Sequence, residues 1–112
     1  MVKVIVAIAR RKDMSPQEFH RYWRVEHGRL VANHPLSNRL VKKYVQSHAV
    51  VDEYTNREPA FDGFAELWFE SVQHKDEFFN APEYLAQFRP DEARFADVSR
   101  SQFVVAEEEP IL

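Results

Sequence analysis

The order of the predicted strands and helices is the feature that most constrains the fold of this chain. Apolar runs rich in β-branched residues at positions 2–9, 40–52, 61–70 and 99–106 predict four strands. Helical signals fill the first and third gaps between these strands, whereas a polar loop over residues 53–59 fills the second gap. The resulting order, β-α-β-β-α-β, is typical of the ferredoxin-like arrangement. We therefore predict an α+β fold with a four-stranded antiparallel sheet that has both helices on one face.

The first helix has the clearest start signal in the chain. Ser15 can act as its N-cap, Pro16 suits the first helical position, and Glu18 completes a capping box. We expect this helix to end just before Pro35, because the residue that precedes a proline avoids the helical region. A second helical stretch begins after Ser71 and is interrupted by two prolines before the last strand.

Length and composition limit the classes of protein that this chain can represent. Its 112 residues, 45% of them hydrophobic, suit a single domain over residues 1–112. A net charge of −3 gives no electrostatic reason to expect a nucleic-acid partner. No apolar run approaches the roughly 20 residues needed to span a bilayer, and Arg10 and Arg11 follow the apolar start too soon for a signal peptide. We expect a cytoplasmic protein without a membrane partner.

Several kinds of functional site are excluded by the residue types present. The absence of cysteine excludes disulfide scaffolds, thiol nucleophiles and cysteine metal sites. Two glycines, Gly28 and Gly63, are too few for a phosphate-binding loop. His20, His27 and His34 recur every seven residues, which separates neighbours by about 10.5 Å along a helix and is too far for one metal ion. We therefore predict no metal site.

The first strand is apolar on both faces (Val4, Val6 and Ile8 on one; Ile5, Ala7 and Ala9 on the other). An antiparallel sheet with one face in water should instead alternate apolar and polar residues. Because the helices of this fold cover only one face, the other face needs a different cover. The same face of a second copy provides the simplest one. The sequence thus predicts a homodimer that forms through its sheet faces.

Two titratable residues lie near the apolar arc of the first helix. At about 100° per residue, Glu26 falls near the middle of that arc, between Trp23 and Leu30, and His27 falls at its edge. His27 is a candidate general base or acid, or else a core imidazole bonded to a backbone carbonyl. A buried Glu26 would have a raised pKa and could orient His27 or transfer a proton. Alternatively, it pairs with an arginine or is turned to solvent.

The second strand carries two further candidates. Tyr44 and His48 share one face of this strand, about 13 Å apart, with Gln46 between them. A tyrosine hydroxyl can stabilise a developing oxyanion and a histidine can transfer a proton. Alternatively, Tyr44 belongs to a cross-strand aromatic pair and His48 lies on the rim of a half-exposed face.

Large aromatic side chains are more typical of a core than of a cofactor site, but some of them should form the walls of a pocket. The candidates for substrate-contacting walls are Trp23, Phe64, Trp68 and Phe88.

Residues 14–23 (MSPQEFHRYW), the tripeptide Glu26-His27-Gly28 and the late segment 91–97 (DEARFAD) resemble the EthD family of dimeric α+β barrels. Nearly the whole chain is covered by this resemblance. It implies a cofactor-free pocket between helix and sheet in each protomer, suited to small apolar carbonyl or phenolic compounds. By resemblance His27 lines that pocket, and Tyr44 stands where family members often place a pocket tyrosine. The members differ in the reactions they support, so the resemblance leaves the reaction open.

The leading hypothesis is a cofactor-independent lyase or isomerase for a small hydrophobic carbonyl, lactone or aromatic polyketide-like compound. In it, His27 moves the proton next to the carbonyl, Tyr44 hydrogen-bonds the oxygen that gains charge, and Glu26 or His48 assists. One alternative is an accessory protein that binds such a ligand without converting it. Another is a cofactor-free monooxygenase of similar fold.

Overall fold

The computed structural model describes residues 1–112 and contains one four-stranded antiparallel sheet in the order β2-β3-β1-β4. The strands are β1 (Val2–Ile8), β2 (Val41–His48), β3 (Gly63–Phe69) and β4 (Gln102–Ala106). The central strands are therefore β1 and β3, and β4 is an edge strand. This order confirms the predicted ferredoxin-like α+β fold, although β2 ends four residues earlier than the sequence pattern indicated.

The helical segments lie between the strands in the predicted order. They are α1 (Pro16–Arg21), α2 (Gly28–Ala32), α3 (Pro35–Leu40), α4 (Val72–Asn80) and α5 (Arg89–Glu92). Short 3-10 turns occupy Val51–Thr55 and Val98–Arg100. The sequence did not indicate α3, which begins at Pro35, the proline before which the first helix was expected to end. None of the helices has the length and apolarity needed to cross a bilayer.

Two π-helical segments interrupt the helices that flank the core. One, Tyr22–His27, joins α1 to α2, and the other, Tyr84–Phe88, leads into α5. A π turn closes its hydrogen bonds one residue later than an α turn, so each residue advances by a smaller angle. As a result His27 is buried and Glu26 is exposed. Of the interpretations that the sequence left open for Glu26, the structure shows the one in which it is turned to solvent, because the α-helical spacing does not continue through this segment.

The core lies between the helices and one face of the sheet. That face contributes Val4 and Ile8 from β1 and Leu67 and Phe69 from β3, all buried. The helices and the segment before β4 contribute fully buried aromatic side chains, namely Phe19, Trp23, Phe78, Phe88 and Phe95. This packing orients both π-helical segments toward the sheet.

The opposite face of the sheet, called the outer face here, has no helix over it. It consists of the alternate strand positions, including Ile5 and Ala7 of β1, Phe64 and Trp68 of β3, and Val104 of β4. Phe64 is 41% exposed and Val104 is 52% exposed, so the outer face presents apolar side chains to solvent beside the Lys3–Glu66 ion pair.

The location of Phe64 and Trp68 on the outer face contradicts their assignment to the walls of a pocket between helices and sheet. Trp68 donates a hydrogen bond to Glu108 and lies against Lys3 and Lys43. The predicted alternation along β3 was correct, but the helices cover the face of the sheet opposite to the one on which these two rings lie.

Candidate active site

A cavity of about 630 Å³ lies between the sheet and the helices. Its walls are mainly apolar and include Val6 and Leu67 from the sheet and Trp23 and Phe88 from the π-helical segments. A largely apolar cavity of this size, with a few polar groups, is typical of a site for a small organic ligand. The polar groups that matter for its chemistry come from the first helix and from residues 84–92.

His27 stands on the wall of this cavity with its orientation fixed by Asp91. The imidazole Nδ1 lies 2.8 Å from Asp91 Oδ2, and Tyr22 donates its hydroxyl proton to Asp91 Oδ1 at 2.6 Å. Because a carboxylate accepts hydrogen bonds, Nδ1 carries the imidazole proton and Nε2 carries the lone pair. The protein provides no hydrogen-bond partner for Nε2, which leaves this nitrogen for a ligand.

The protonation state of His27 suits a general base. Burial lowers the pKa of His27, while the hydrogen bond and charge of Asp91 oppose that shift only in part. The imidazole is 7% exposed and packs against the ring of Phe95, with 4.8 Å between ring centroids. A neutral, oriented imidazole in an apolar environment can therefore accept a proton at neutral pH.

A second polar pair, Tyr84 and Glu92, lines the same cavity. The Tyr84 hydroxyl donates to the Glu92 carboxyl group. Burial raises the pKa of Glu92, and burial together with the neighbouring carboxyl group raises the pKa of Tyr84. Glu92 thus holds a proton at a higher pH than a surface glutamate does. The cavity contains a base with a lowered pKa and an acid with a raised pKa, which is the usual assignment for acid–base chemistry.

Tyr44 does not line the cavity, although it lies on the helix-facing side of β2. Gln46 Nε2 donates to the Tyr44 hydroxyl at 2.9 Å and to the Trp23 carbonyl oxygen at 3.0 Å. Burial raises the pKa of Tyr44, so its phenol stays protonated. The structure therefore places Tyr44 in a hydrogen-bond network next to the cavity rather than on its wall.

His48 lies at the end of β2, outside the cavity. Its Nδ1 is 2.7 Å from His20 Nδ1, and its Nε2 is 2.8 Å from Gln46 Oε1. Tyr44 and His48 were expected to line different parts of one cleft. Instead, Gln46 links them into one network, and His27 does not belong to it.

The histidines do not converge on a common point. His20 contacts His48, His27 contacts Asp91, and His34 caps α3 by accepting a hydrogen bond from the Leu36 amide. No group of three or more histidine, cysteine or carboxylate side chains is arranged to hold a metal ion.

A family model of the EthD domain matches residues 11–99. This chain belongs to the EthD family. The family assignment and the sheet order together confirm the resemblance that residues 14–23 and 91–97 indicated. No curated protein shows significant sequence similarity to this EthD chain.

Solved structures share the fold of this EthD protein at low sequence identity. An EthD family protein from Bacillus halodurans C-125 superposes with a TM-score of 0.72 at 19% identity, covering 97% of this chain and 99% of that one. Hydroxynitrile lyase from Passiflora edulis gives a TM-score of 0.62 at 21% identity, over 94% and 88% of the two chains. SnoaB, a cofactor-independent oxygenase from Streptomyces nogalater, gives 0.64 at 10% identity, over 99% and 95%.

Three of the predicted site residues meet at the cavity of this EthD domain, namely His27, Trp23 and Phe88. The sequence patterns did not indicate the partners of His27, or the pair formed by Tyr84 and Glu92. A signal for Asp91 and Glu92 was present, since two adjacent carboxylates follow a proline within the segment that resembles the family. Neither residue was recognised as functional, because their contacts with Tyr22, His27 and Tyr84 are tertiary or depend on the second π segment.

Proposed function

We propose that this EthD protein is a cofactor-independent acid–base enzyme for a small hydrophobic carbonyl, lactone or aromatic polyketide-like compound. The observation that supports the proposal best is the state of His27. It is a neutral imidazole that Asp91 orients, with an unpaired Nε2 at the wall of an apolar cavity of about 630 Å³. A neutral imidazole with a free nitrogen lone pair at a ligand-sized cavity is positioned to act as a general base.

In the proposed reaction, His27 Nε2 removes the proton next to the carbonyl group. The oxygen that gains charge accepts a hydrogen bond or proton from the protonated carboxyl group of Glu92, which the Tyr84 hydroxyl holds in place and which takes the role that the sequence assigned to Tyr44. The apolar walls exclude water and strengthen these few polar contacts. Such chemistry serves isomerisation, dehydration and decarboxylation, which need an acid and a base but no electron carrier.

The neighbours in fold are consistent with this class of function without specifying it. Both a lyase and a cofactor-independent oxygenase occur among them, at identities that support the fold alone. An accessory binding protein and a cofactor-free monooxygenase therefore remain the competing functions to test.

We also propose that the protein forms a homodimer through the outer face. Phe64 and Val104 leave an apolar surface open in one protomer, and covering it with its own copy removes that surface from water. The cavity lies on the other side of the sheet, so each protomer would keep its own.

Exchange of the α-proton in deuterated water tests the proposed base without knowledge of the natural substrate. Ligands are first selected from a panel of small lactones and aromatic ketones by fluorescence titration, and exchange is then followed by proton NMR. The wild type is expected to accelerate exchange, and His27→Gln to lose about 10²–10⁴-fold of that rate while retaining ligand affinity. Glu26→Gln is the matched control, since Glu26 is adjacent but exposed, and it should exchange at the wild-type rate.

The pH profile provides a second readout for the same reaction. His27 is active when neutral, so the exchange rate should fall as the pH drops through its pKa, which lies below the ordinary value near 6.5. Asp91→Asn removes the group that partly raises this pKa, so the acid limb should move to still lower pH and the rate should also fall. Binding without any exchange or turnover by the wild type would support the accessory protein, and oxygen uptake would support the monooxygenase.

A further inference from the structure

A second pocket, of about 420 Å³, opens on the surface beside the first helix and the end of β2. Its lining contains four basic side chains and no carboxylate, the basic residues being His20, Arg21, Arg24 and His48. Arg21 and Arg24 have no salt-bridge partner in the protein, in contrast to Arg10, which binds both Glu58 and Asp62. The pocket therefore offers two free guanidinium groups to a ligand.

The floor of this pocket belongs to a continuous chain of hydrogen bonds that starts at Asp62 and ends at Gln46. Tyr54 OH lies 2.7 Å from Asp62 Oδ2 and 3.1 Å from His20 Nε2. The two histidines contact each other through their Nδ1 atoms at 2.7 Å, and His48 Nε2 lies 2.8 Å from Gln46 Oε1. The chain consists of four hydrogen bonds, and each of them needs one proton.

Both ends of this chain are acceptors. Arg10 donates to both oxygens of Asp62, through its amide to Oδ1 and its guanidinium to Oδ2, which keeps that carboxyl group an acceptor. The orientation of the Gln46 amide is fixed because its Nε2 donates to the Trp23 carbonyl oxygen, so Oε1 faces His48. The amide packs closely on the first helix, since a Cβ at Gly28 would lie 3.1 Å from Gln46 Nε2.

When both imidazoles are neutral, this chain of hydrogen bonds is therefore one proton short. Tyr54 supplies one proton and each neutral imidazole supplies one, which gives three protons for four hydrogen bonds. The missing proton can reside only on the His20–His48 pair, which would then carry one positive charge. Burial and the nearby Arg24 lower the pKa of both histidines, that of His48 to about 4, so this charge needs a counter-ion.

The protein has too little negative charge near the His20–His48 pair to neutralise this added proton. The charged groups that face the pair are Asp62 behind Tyr54, Arg10 bound to Asp62, and Arg21 and Arg24 on the first helix. Asp62 and Glu58 share the single guanidinium of Arg10, which leaves one negative charge against the two positive charges of Arg21 and Arg24. An added proton would leave the cluster with excess positive charge next to an open pocket, and a bound anion would neutralise it.

We propose that this surface pocket binds a small oxyanion, a carboxylate or phosphate group, together with one proton that the His20–His48 pair takes up. Arg21 and Arg24 donate hydrogen bonds to the anion, while the imidazoles contribute charge, because all four of their ring nitrogens already have partners. The inference does not depend on the proposed function of the main cavity.

Sulfate is a suitable probe because its charge is constant between about pH 5.5 and 8, the range in which histidines titrate. Binding is measured by amide NMR shifts and calorimetry at fixed ionic strength, with acetate as the carboxylate arm. We expect sulfate affinity to rise by up to about tenfold for each unit of pH decrease, since one proton is linked to binding. Calorimetry in buffers of different ionisation enthalpy should show uptake of close to one proton.

Two variants separate the proposed linkage from general charge attraction. Arg24→Gln should weaken sulfate binding at least about tenfold. Arg29→Gln, an exposed arginine of the same helix outside the pocket, should leave it unchanged. Tyr54→Phe removes two of the four hydrogen bonds, so the two neutral imidazoles can complete the remaining two. It should keep both histidines and both arginines but abolish proton uptake.

The inference is overturned if sulfate fails to shift pocket amides, or if its affinity is independent of pH in the wild type. Equal effects of Arg24→Gln and Arg29→Gln would also overturn it, as would proton uptake that persists in Tyr54→Phe. Thermal unfolding of each variant verifies that the comparison is made between folded proteins.

Discussion

Gly63 is the residue at which the structure leaves the least room for a side chain. A Cβ at this position would lie 2.4 Å from Trp23 Cζ3 and 2.7 Å from the Ser47 carbonyl oxygen. The indole of Trp23 therefore lies directly against the start of β3, where it also packs on the ring of His48 with 4.3 Å between centroids. The identity of residue 63 thus determines how closely the first helix approaches the sheet.

Gly63→Ala is expected to destabilise the protein by about 1–3 kcal/mol, because the indole or the strand must move to accept the methyl group. The free energy of unfolding in urea measures this loss. Gly28→Ala provides a comparison, since a Cβ there would lie 3.1 Å from Gln46 Nε2 and 3.2 Å from the Trp23 carbonyl oxygen, which needs a much smaller shift than at Gly63, and alanine favours a helix by about 1 kcal/mol. An unchanged stability of Gly63→Ala would show that the close packing of Trp23 is not required.

The individual residues of the site were predicted to different extents. His27 lines the cavity, where the resemblance to the EthD family put it, whereas helical spacing alone put it at the edge of the apolar arc. Its partner Asp91 is 64 residues away, and sequence patterns carry no information on such a contact. The pocket roles of Phe64 and Trp68 were assigned to the wrong side of the sheet, since strand alternation separates two faces without showing which one the helices cover.

At the scale of single elements, the local sequence signals predicted the start of the first helix correctly but did not predict its π-helical segment. The capping box formed as expected, with the Ser15 side chain accepting from the Glu18 amide and the Glu18 carboxylate accepting from the Ser15 amide. The π turn that follows leaves no comparable mark in the sequence, because it depends on tertiary packing around Trp23. The exposure of Glu26 follows directly from this π-helical segment.

Two serines on helices should respond in opposite directions when replaced by alanine. Ser15→Ala removes the N-cap of α1 and is expected to cost about 1 kcal/mol of stability. Ser37 lies buried in α3, and its Oγ has no hydrogen-bond partner. Ser37→Ala should therefore be neutral or stabilising, because it removes a buried unsatisfied hydroxyl. Urea unfolding of both variants checks the pair, and a loss at Ser37 comparable to that at Ser15 would contradict the assignment.

At the scale of the whole molecule, the sequence predicted the ferredoxin-like fold from the order of its strands and helices. It predicted the need for a cover over the outer face from β1, which is apolar on both sides. The shape of the cavity could not be predicted, since it depends on how residues 84–92 pack against the first helix. In addition β4 exposes Phe103, Val104 and Val105, so this edge strand is incompletely covered by the rest of the chain.

Val104→Lys is expected to convert the proposed dimer into a monomer, because it introduces a charge into the outer face opposite Ile5. Sedimentation at micromolar concentration measures the oligomeric state. Val72→Lys is the matched control, since Val72 is similarly exposed but lies on α4, away from the outer face. A monomeric wild type, or equal effects of the two variants, would contradict the proposed interface.

The location of Trp23 has a practical consequence. The same indole borders the large cavity and stacks on His48 at the floor of the small surface pocket. Its fluorescence emission should respond to a ligand in the large cavity and to a gain of charge on the His20–His48 pair. Because the chain has only one other tryptophan, Trp68, on the far side of the sheet, replacing Trp68 by phenylalanine would leave a single built-in optical sensor for both events.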